Sequence, residues 1–156
     1  MIFRRALPED TSFIAEALKD ILILHARGRE DIFRSTGAKY DEIAVLEMLS
    51  QPNKFIFVAV NNNNICGYAI CELLTIENNT VLKDRVVFYL DDLYLLPETR
   101  GTGCGKKFMD YLFEYAKSLG CNSFELNVWE FDGSATGFYK KCGMTTQRRI
   151  MEKPLK

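Results

Sequence analysis

Residues 89–106 read Tyr-Leu-Asp-Asp-Leu-Tyr-Leu-Leu-Pro-Glu-Thr-Arg-Gly-Thr-Gly-Cys-Gly-Lys, and this stretch decides the fold. An apolar, β-prone run over residues 86–96 ends at a proline, and three glycines then precede a long amphipathic segment that starts near Lys106. This order predicts a strand, a glycine turn and a helix. Glycine permits positive φ, and the first turn of a helix presents unpaired N–H groups at the positive end of its dipole. The turn is therefore predicted to bind an anion, with phosphate or pyrophosphate as the first choice.

The spacing of the glycines separates this turn from two common phosphate motifs. In the Walker pattern G-x-x-x-x-G-K-[S/T], the first glycine and the final hydroxyl residue would stand where Arg100 and Lys107 are, so the Mg²⁺ ligand is missing. A dinucleotide fingerprint needs G-x-G-x-x-G directly after its strand, whereas G-x-G-x-G here follows residues 97–100. Glu125 lies about twenty residues further on, where that fingerprint has its acid, but inside an apparent strand. With these two motifs set aside, the turn is described by the pattern Arg-x-x-Gly-x-Gly, which follows a strand that a proline terminates.

Length and composition bound the class of protein. A chain of 156 residues with 47% hydrophobic content predicts one globular domain over residues 1–156, with a core of its own. Its net charge of −1, with no basic block, argues against a nucleic-acid or membrane partner. The five cysteines are odd in number and form no C-x-x-C, which favours reduced thiols in a cytoplasmic protein over disulfides or zinc ligands. Neither a signal peptide nor a membrane-spanning run is predicted.

Hydrophobic periodicity and turn residues predict further elements on both sides of the glycine turn. The strand after the glycine helix is predicted to lie parallel to the strand before it, because a helical crossover joins them. A polar loop over residues 27–39 mixes both charge signs and is predicted to be functional. Strands are predicted at residues 2–6, 54–60, 65–76, 86–96, 122–129 and 144–153, and helices at 11–25, 41–49, 106–119 and 133–141.

A second motif follows the glycine helix. Residues 126–144 read Leu-Asn-Val-Trp-Glu-Phe-Asp-Gly-Ser-Ala-Thr-Gly-Phe-Tyr-Lys-Lys-Cys-Gly-Met. Together with Arg-x-x-Gly-x-Gly, this stretch resembles the paired signatures of the GNAT superfamily of N-acetyltransferases, the second being L-x-V-x-x-x-N-x-x-A-x-x-F-Y-x-x-x-G-F. Two residues depart from that pattern. Met144 replaces a phenylalanine conservatively, whereas Asp132 replaces an asparagine that commonly hydrogen-bonds pantetheine, and a carboxylate accepts hydrogen bonds but does not donate them.

The resemblance implies a fold and a co-substrate. The implied fold is α/β (α+β): a mixed, mostly antiparallel sheet of six or seven strands, flanked by about four helices, with a splayed parallel pair at its centre. The implied co-substrate is acetyl-CoA, and no metal is implied. Its pantetheine arm would lie between the splayed strands, and its diphosphate would lie on the glycine turn. The implied cofactor-binding residues are Leu93, Tyr94, Leu95, Arg100, Gly101, Thr102, Gly103, Cys104, Gly105, Lys106, Asn127, Asp132 and Ala135.

Tyr139 is the first catalytic candidate. In the family that it resembles, the tyrosine of Phe-Tyr points at the thioester sulfur and protonates the leaving thiolate. A phenol with a pKa of about 10 can hydrogen-bond a thiolate whose acid has a pKa of about 8.5, and donate to it as it develops. The alternative is an aromatic core residue of the last helix. Cys104 is predicted to be a small loop residue rather than a nucleophile, because the family mostly transfers its acyl group directly.

Asp91 and Asp92 are the second pair of candidates, because a strand interior disfavours aspartate. One interpretation is a bulge with one carboxylate in solvent and the other capping a backbone group. The functional interpretation is a base, since an attacking ammonium must lose a proton. The run over residues 89–92 resembles the Tyr-Leu-Glu-Asp of polyamine acetyltransferases, which favours Asp91 as base. Strand alternation predicts that the two side chains point to opposite faces, so that one faces the substrate.

Two functions follow as hypotheses. The first is an N-acetyltransferase that binds acetyl-CoA together with a small, cationic primary amine, with a backbone N–H near Leu95 stabilising the oxyanion. The second is a non-catalytic acyl-CoA-binding sensor or regulatory module, which has no need of the Tyr139 phenol. No motif identifies the acceptor. A homodimer is compatible with the sequence.

Overall fold

A mixed five-stranded sheet lies between helices on its two faces. The computed structural model describes residues 1–131 and 133–155. Its strands are β1 (Ile2–Arg5), β2 (Lys54–Asn61), β3 (Asn64–Ile76), β4 (Arg85–Leu95) and β5 (Ser123–Leu126), and they lie in that order across the sheet. Its helices are α1 (Thr11–Gly28), α2 (Glu42–Met48), α3 (Cys104–Ser118) and α4 (Thr136–Lys141).

The pairing of the strands is antiparallel except at the last pair. β1 pairs with β2, β2 with β3 and β3 with β4, all antiparallel, whereas β4 and β5 are parallel. The predicted strands at 54–60 and 65–76 form a hairpin, and its turn places Asn62 and Asn63 at φ values of 48° and 64°, which asparagine tolerates better than most residues. The predicted helical crossover is also present, since α3 connects the two parallel strands.

Each face of the sheet buries its own apolar cluster. On one face, residues of α1 and α2 such as Ile14, Leu18 and Val45 pack on the inward residues of the central strands. On the other face, α3 contributes Phe108 and Leu112, the first of which stacks on a β1 phenylalanine. Burial of a large side chain of this kind is worth about 1.5–3 kcal/mol. Helices therefore pack on both faces of the sheet that contains β4, the strand with the acid pair Asp91 and Asp92.

The mixed α/β class is confirmed, but the prediction of six or seven strands is wrong. Residues 144–153 form no strand among the described residues, and Ile150 and Met151 are 92% and 86% exposed. A strand needs a neighbour for its backbone groups, whereas this tail is anchored by side chains, with Gln147 donating to Glu125 over 3.1 Å. The parallel pair consequently lies at the edge of the described sheet and not at its centre.

The parallel pair is also short. β4 and β5 are paired only from Val87 opposite Ser123 to Leu90 opposite Leu126, and residues 127–129, which the sequence predicts as part of the strand, lie outside it. β4 continues to Leu95 with β3 as its partner on one side. Among the described residues, the other side of β4 beyond Leu90 has no strand beside it. We call this unpaired side of β4, from the point where β5 ends, the opening.

Within the described residues, we find no helix whose length and apolarity would suit a membrane crossing.

Candidate functional site

The glycine turn has the backbone geometry that the sequence predicts. A short 3₁₀ turn over Pro97–Thr99 follows β4, and Gly101 and Gly103 then take φ values of 76° and 85°. A Cβ at either glycine would meet nothing within 4 Å, so these positions need glycine for its backbone freedom and not for space. Gly103 is the N-cap residue of α3, which begins at Cys104, two residues before the predicted start.

The amides of this turn are available to a ligand. Within the described part of the chain, no backbone N–H group of residues 101–106 donates to a protein acceptor. Six successive amides at the positive end of a helix form a site suited to an anion. The Arg100 side chain lies beside them, donating from Nε to the carbonyl oxygen of Leu95 over 2.9 Å. The Lys106 ammonium is held by Asp110 at 2.8 Å on the exposed surface.

Gly105 lets the start of α3 approach the end of β4. A Cβ at this position would lie 3.0 Å from Phe138 Cε2 and 3.2 Å from Leu95 Cδ1. The close approach places the glycine turn next to α4, the helix that carries Tyr139. Cys104 is buried, and its burial raises the pKa of the thiol above its ordinary value. An activated nucleophile needs the opposite shift.

Asp91 and Asp92 both reach one ammonium group. The Lys39 Nζ lies 2.8 Å from Asp91 Oδ1 and 3.4 Å from Asp92 Oδ2. The hydroxyl of Tyr40 donates to Asp91 over 3.1 Å, and the hydroxyl of Tyr68 donates to Asp92 over 3.4 Å. The prediction that alternation separates the two carboxylates is therefore wrong.

A β-bulge explains why the two side chains converge. Ile70 of β3 pairs with Asp92 and Cys71 pairs with Leu90, so Asp91 has no opposing residue on β3. An extra residue in one strand interrupts alternation and redirects the side chains around it. The bulge considered from the sequence is thus present, but both carboxylates bind side chains of other elements instead of facing solvent or capping the backbone.

Asp92 is the more buried of the two acids, at 9% exposure. Burial raises the pKa of Asp92 to about 6, which the Lys39 ammonium partly opposes and the charge of Asp91 reinforces. The carboxylate is therefore ionised at neutral pH and is a stronger base than an ordinary aspartate. That balance between charge and basicity is what a general base requires.

Tyr139 lies on α4, within the electrostatic reach of Asp92. Burial of its ring, followed by the charge of Asp92, raises the pKa of the Tyr139 phenol. Among the described residues, the Tyr139 hydroxyl has no hydrogen-bond partner. Every fully buried side-chain oxygen of those residues has one, so the Tyr139 hydroxyl is not fully buried. The hydroxyl is therefore accessible from outside the protein. It is a protonated donor at neutral pH, free to donate to a ligand.

The other sequence-predicted binding residues lie around the opening beside β4. Leu93 and Leu95 are half-buried, whereas Tyr94 is buried and donates from its hydroxyl to Asp20 over 2.8 Å. The Tyr94 side chain thus belongs to the α1 side of the sheet, and only its backbone can serve the opening. Thr102 is exposed, and its hydroxyl donates to the carbonyl oxygen of Thr99 over 2.7 Å.

Two further predicted residues lie across the opening, after β5. Asn127 is exposed and donates from Nδ2 to the Tyr89 hydroxyl over 2.9 Å. Ala135 is exposed at the start of α4. Asp132 lies outside the described residues.

Sequence reasoning missed the partners of the acid pair, Lys39, Tyr40 and Tyr68. An aromatic cluster includes residues that the sequence offers either as walls of the acyl cleft or as core residues, namely His25, Trp129 and Phe131. The His25 and Phe33 rings lie 5.0 Å apart, and Trp129 meets Phe33 edge-on at 5.0 Å. Phe131 packs so closely on Gly28 that a Cβ there would lie 2.5 Å from the ring. The sequence signal for Lys39 was the mixed-charge loop over residues 27–39. Among the described residues, no group of three or more His, Cys, Asp or Glu side chains is arranged to hold a metal ion.

The chain is similar to several known proteins. The model of the Acetyltransferase (GNAT) family matches residues 21–144. Thialysine N-epsilon-acetyltransferase of Mus musculus is 38% identical over 55 residues, which are 35% of this chain and 32% of the mouse protein. The match thus spans about a third of that relative's length. N-alpha-acetyltransferase 30 of Schizosaccharomyces pombe is 25% identical over 133 residues, which are 85% of this chain and 81% of the yeast protein.

Solved structures also match nearly the whole chain. The crystal structure of a tetramutant of the BH1408 protein from Bacillus halodurans is 27% identical in sequence and superimposes with a TM-score of 0.92. The superposition covers 99% of this chain and 100% of that one. The fold of the present chain therefore also occurs in an experimentally determined structure.

Proposed function

Because the chain belongs to the GNAT acetyltransferase family, we propose that it transfers the acetyl group of acetyl-CoA directly to a primary amine of a small, cationic acceptor. One observation carries the proposal. A buried carboxylate with a raised pKa, Asp92, acts through its charge to raise the pKa of the Tyr139 phenol, which keeps that phenol protonated beside the opening next to β4. Such a pair supplies a base for the acceptor ammonium and an acid for the leaving thiolate.

The binding of acetyl-CoA is proposed on two features of the backbone. The six free amides of residues 101–106 would bind the diphosphate, with the Arg100 guanidinium beside them. The edge of β4 from Leu93 to Leu95, which has no strand beside it among the described residues, would pair with the amides of pantetheine as an added strand does. Asn127 and Ala135 would border the same arm from the far side.

The reaction would proceed in a ternary complex. The acceptor ammonium would bind between Asp91 and Asp92, and Asp92 would take its proton. The neutral nitrogen would then attack the thioester carbonyl carbon, while a backbone N–H near Leu95 stabilises the oxyanion. As the carbon–sulfur bond breaks, Tyr139 would protonate the thiolate. The resemblance of residues 89–92 to Tyr-Leu-Glu-Asp favours Asp91 as base, whereas burial and the raised pKa favour Asp92. We therefore assign Asp92 as the base and Asp91 to binding of the ammonium.

The charge of the site supports a cationic acceptor. Two carboxylates converge on one ammonium, and an external amine would find the same two acceptors. The name of the mouse relative gives the ε-nitrogen of thialysine as its acceptor. We therefore propose an acceptor whose reactive amine stands at the end of an aliphatic chain.

A non-catalytic acyl-CoA-binding module is the second candidate. The observation that favours it is the Lys39 ammonium, which already occupies the acid pair. A module of this kind would bind CoA and leave acetyl-CoA intact in the presence of any amine.

One experiment separates the two candidates. Thiol release from acetyl-CoA would be measured across a panel of diamines, lysine analogues and aminoglycosides, alongside the affinity for CoA by calorimetry. Turnover is expected with at least one cationic primary amine and with none of their N-acylated forms. Tight CoA binding without turnover on any amine would establish the module, and no affinity for CoA would refute both candidates.

Gly103 provides a test of the diphosphate site alone. Gly103→Ala and Gly120→Ala both force a Cβ into the left-handed region, at φ values of 85° and 72°, with open space around each. Each variant is expected to lose about 1–2 kcal/mol of stability in chemical denaturation. Only Gly103→Ala is expected to weaken CoA binding as well, by about tenfold, because only Gly103 belongs to the turn that presents the free amides. Equal CoA affinities in the two variants would place the diphosphate elsewhere.

The single-domain organisation, the cytoplasmic location and the homodimer remain predictions.

A further inference from the structure

A lysine of the chain itself occupies the place proposed for the acceptor ammonium. Lys39 stands in the loop between α1 and α2, 52 positions before Asp91 in the sequence. Its Nζ donates to the Asp91 carboxylate and lies within 3.4 Å of the Asp92 carboxylate and of the Asp91 carbonyl oxygen. The ring of Tyr40 lies 5.4 Å from the same nitrogen. Every one of these groups favours a cation.

The contact differs from the surface ion pairs of the chain. Lys19 pairs with Glu16, and Lys106 with Asp110, each with one carboxylate of its own helix. Lys39 instead crosses to another element and meets two carboxylates, one of them buried. Its own side chain is 43% exposed. Although burial works against the ammonium, the hydrogen bond to Asp91 and the charge of Asp92 raise the pKa of Lys39.

We propose that Lys39 is a self-acetylation site, whose Nζ accepts the acetyl group from an acetyl-CoA bound to the same chain. This inference rests on the proposed function, because it uses the same base and the same acid. Asp92 takes a proton from the ammonium, and the freed lone pair attacks the thioester carbonyl carbon. The carbon–sulfur bond breaks, the thiolate takes a proton from Tyr139, and the products are an amide on Lys39 and CoA thiol. The nitrogen that has attacked still carries one proton more than an amide nitrogen, and this proton passes to the Tyr139 phenolate, which restores the phenol. The proton on Asp92 is released to water.

The consequence of the reaction is a change of charge at the acid pair. An acetylated Lys39 is neutral and no longer donates as a cation to Asp91 and Asp92. The loop that carries it then loses the ion pair that holds it to β4.

The test is peptide mapping by mass spectrometry after incubation with acetyl-CoA and no added amine. We expect one acetyl group on Lys39, formed at a rate that does not depend on protein concentration. Lys19 and Lys117 serve as internal controls, since their side chains, 51% and 71% exposed, are more accessible to chemical acetylation. Tyr139→Phe is expected to slow Lys39 acetylation by about a hundredfold, and its thermal unfolding would be checked beside the wild type.

Three outcomes would overturn the inference. Turnover of free amines with Lys39 unmodified would leave the proposed function intact and make the ion pair purely structural. Equal labelling of Lys39 and Lys19, unchanged in Tyr139→Phe, would identify chemical acetylation. A rate proportional to protein concentration would place the acetyl-CoA on another chain. Absence of both Lys39 labelling and free-amine turnover would instead refute the proposed function itself.

Discussion

Replacing Tyr139 with phenylalanine is expected to lower kcat for acetyl transfer by about a hundredfold to a thousandfold, with little change in CoA affinity. The variant keeps the ring that packs α4 against the sheet and removes only the hydroxyl, which bonds no other described residue. Loss of a positioned general acid costs a factor of this size. Stopped-time assays of thiol release, combined with calorimetry of CoA binding, would measure the two quantities separately.

Tyr111→Phe is the matched control for this variant. Tyr111 is another half-buried tyrosine, on α3, where its ring packs near Phe3 and Phe57. Removing its hydroxyl is expected to leave kcat within about twofold of the wild type. If both tyrosine variants retained full activity, the thiolate would leave without help from Tyr139, and the role assigned to that residue would be refuted.

The glycine turn was predictable from sequence because its cause is local. Positive φ at Gly101 and Gly103 is a property of those two residues, and any helix leaves its first N–H groups without partners inside the helix. The start of α3 was misplaced by two residues because Cys104 and Gly105 lie inside the helix, where a residue of low helix propensity is usually not expected. Packing of Gly105 against Phe138 and Leu95 decides that boundary, and packing is not written in the local sequence.

The arrangement of the acid pair was beyond the reach of sequence reasoning for the opposite reason. After its first residue, the sequence of β4 is an apolar run broken only by the two aspartates, so it carries no alternation that marks a face, and the position of the bulge at Asp91 is defined only by its register with β3. The partner of the two acids, Lys39, lies on a loop that no periodicity describes. The aspartates were recognisable as unusual residues in a strand, but their geometry depends on contacts between elements far apart in the chain.

The C-terminal tail illustrates the difference between strand propensity and strand formation. Residues 144–153 contain the β-favouring residues Thr145, Thr146 and Ile150, yet a strand forms only where a second backbone satisfies its N–H and C=O groups. Among the described residues, no strand lies next to β5 on its outer side. The tail is attached instead by side-chain contacts, including an ion pair of 2.7 Å between Arg29 and Glu152.

Asp92→Asn is the second variant for which a large effect is expected, and it tests the assignment of the base. Its kcat/KM should fall by about a hundredfold or more, because an amide cannot take the proton of the acceptor ammonium. In the wild type, kcat/KM should fall about tenfold per pH unit below pH 6, as the Asp92 carboxylate becomes protonated. That acidic limb should be missing from the residual activity of the variant.

Asp92→Asn is expected to raise the free energy of unfolding at neutral pH although it lowers the activity. The pKa of Asp92 is about 6 in the folded protein, above the ordinary value of 3.8 that applies when the chain is unfolded. The folded state therefore binds the proton more tightly, and the stability that protonated Asp92 contributes is fully present below about pH 4 and lost as the pH rises through 6. At pH 7, Asp92→Asn should consequently be more stable than the wild type by about 3 kcal/mol. Urea denaturation at pH 4 and at pH 7 would measure the difference.

Asp91→Asn is the matched control, because it removes a carboxylate from the same bulge. We assign Asp91 to binding the ammonium, so this variant should raise KM for a cationic amine and leave the acidic limb of kcat/KM near pH 6 in place. A lost acidic limb in Asp91→Asn, together with a retained limb in Asp92→Asn, would exchange the two roles and restore Asp91 as the base that the sequence favours. A retained limb in both variants would mean that neither aspartate accepts the proton, since a group that titrates with the reaction must disappear from the profile when it is removed.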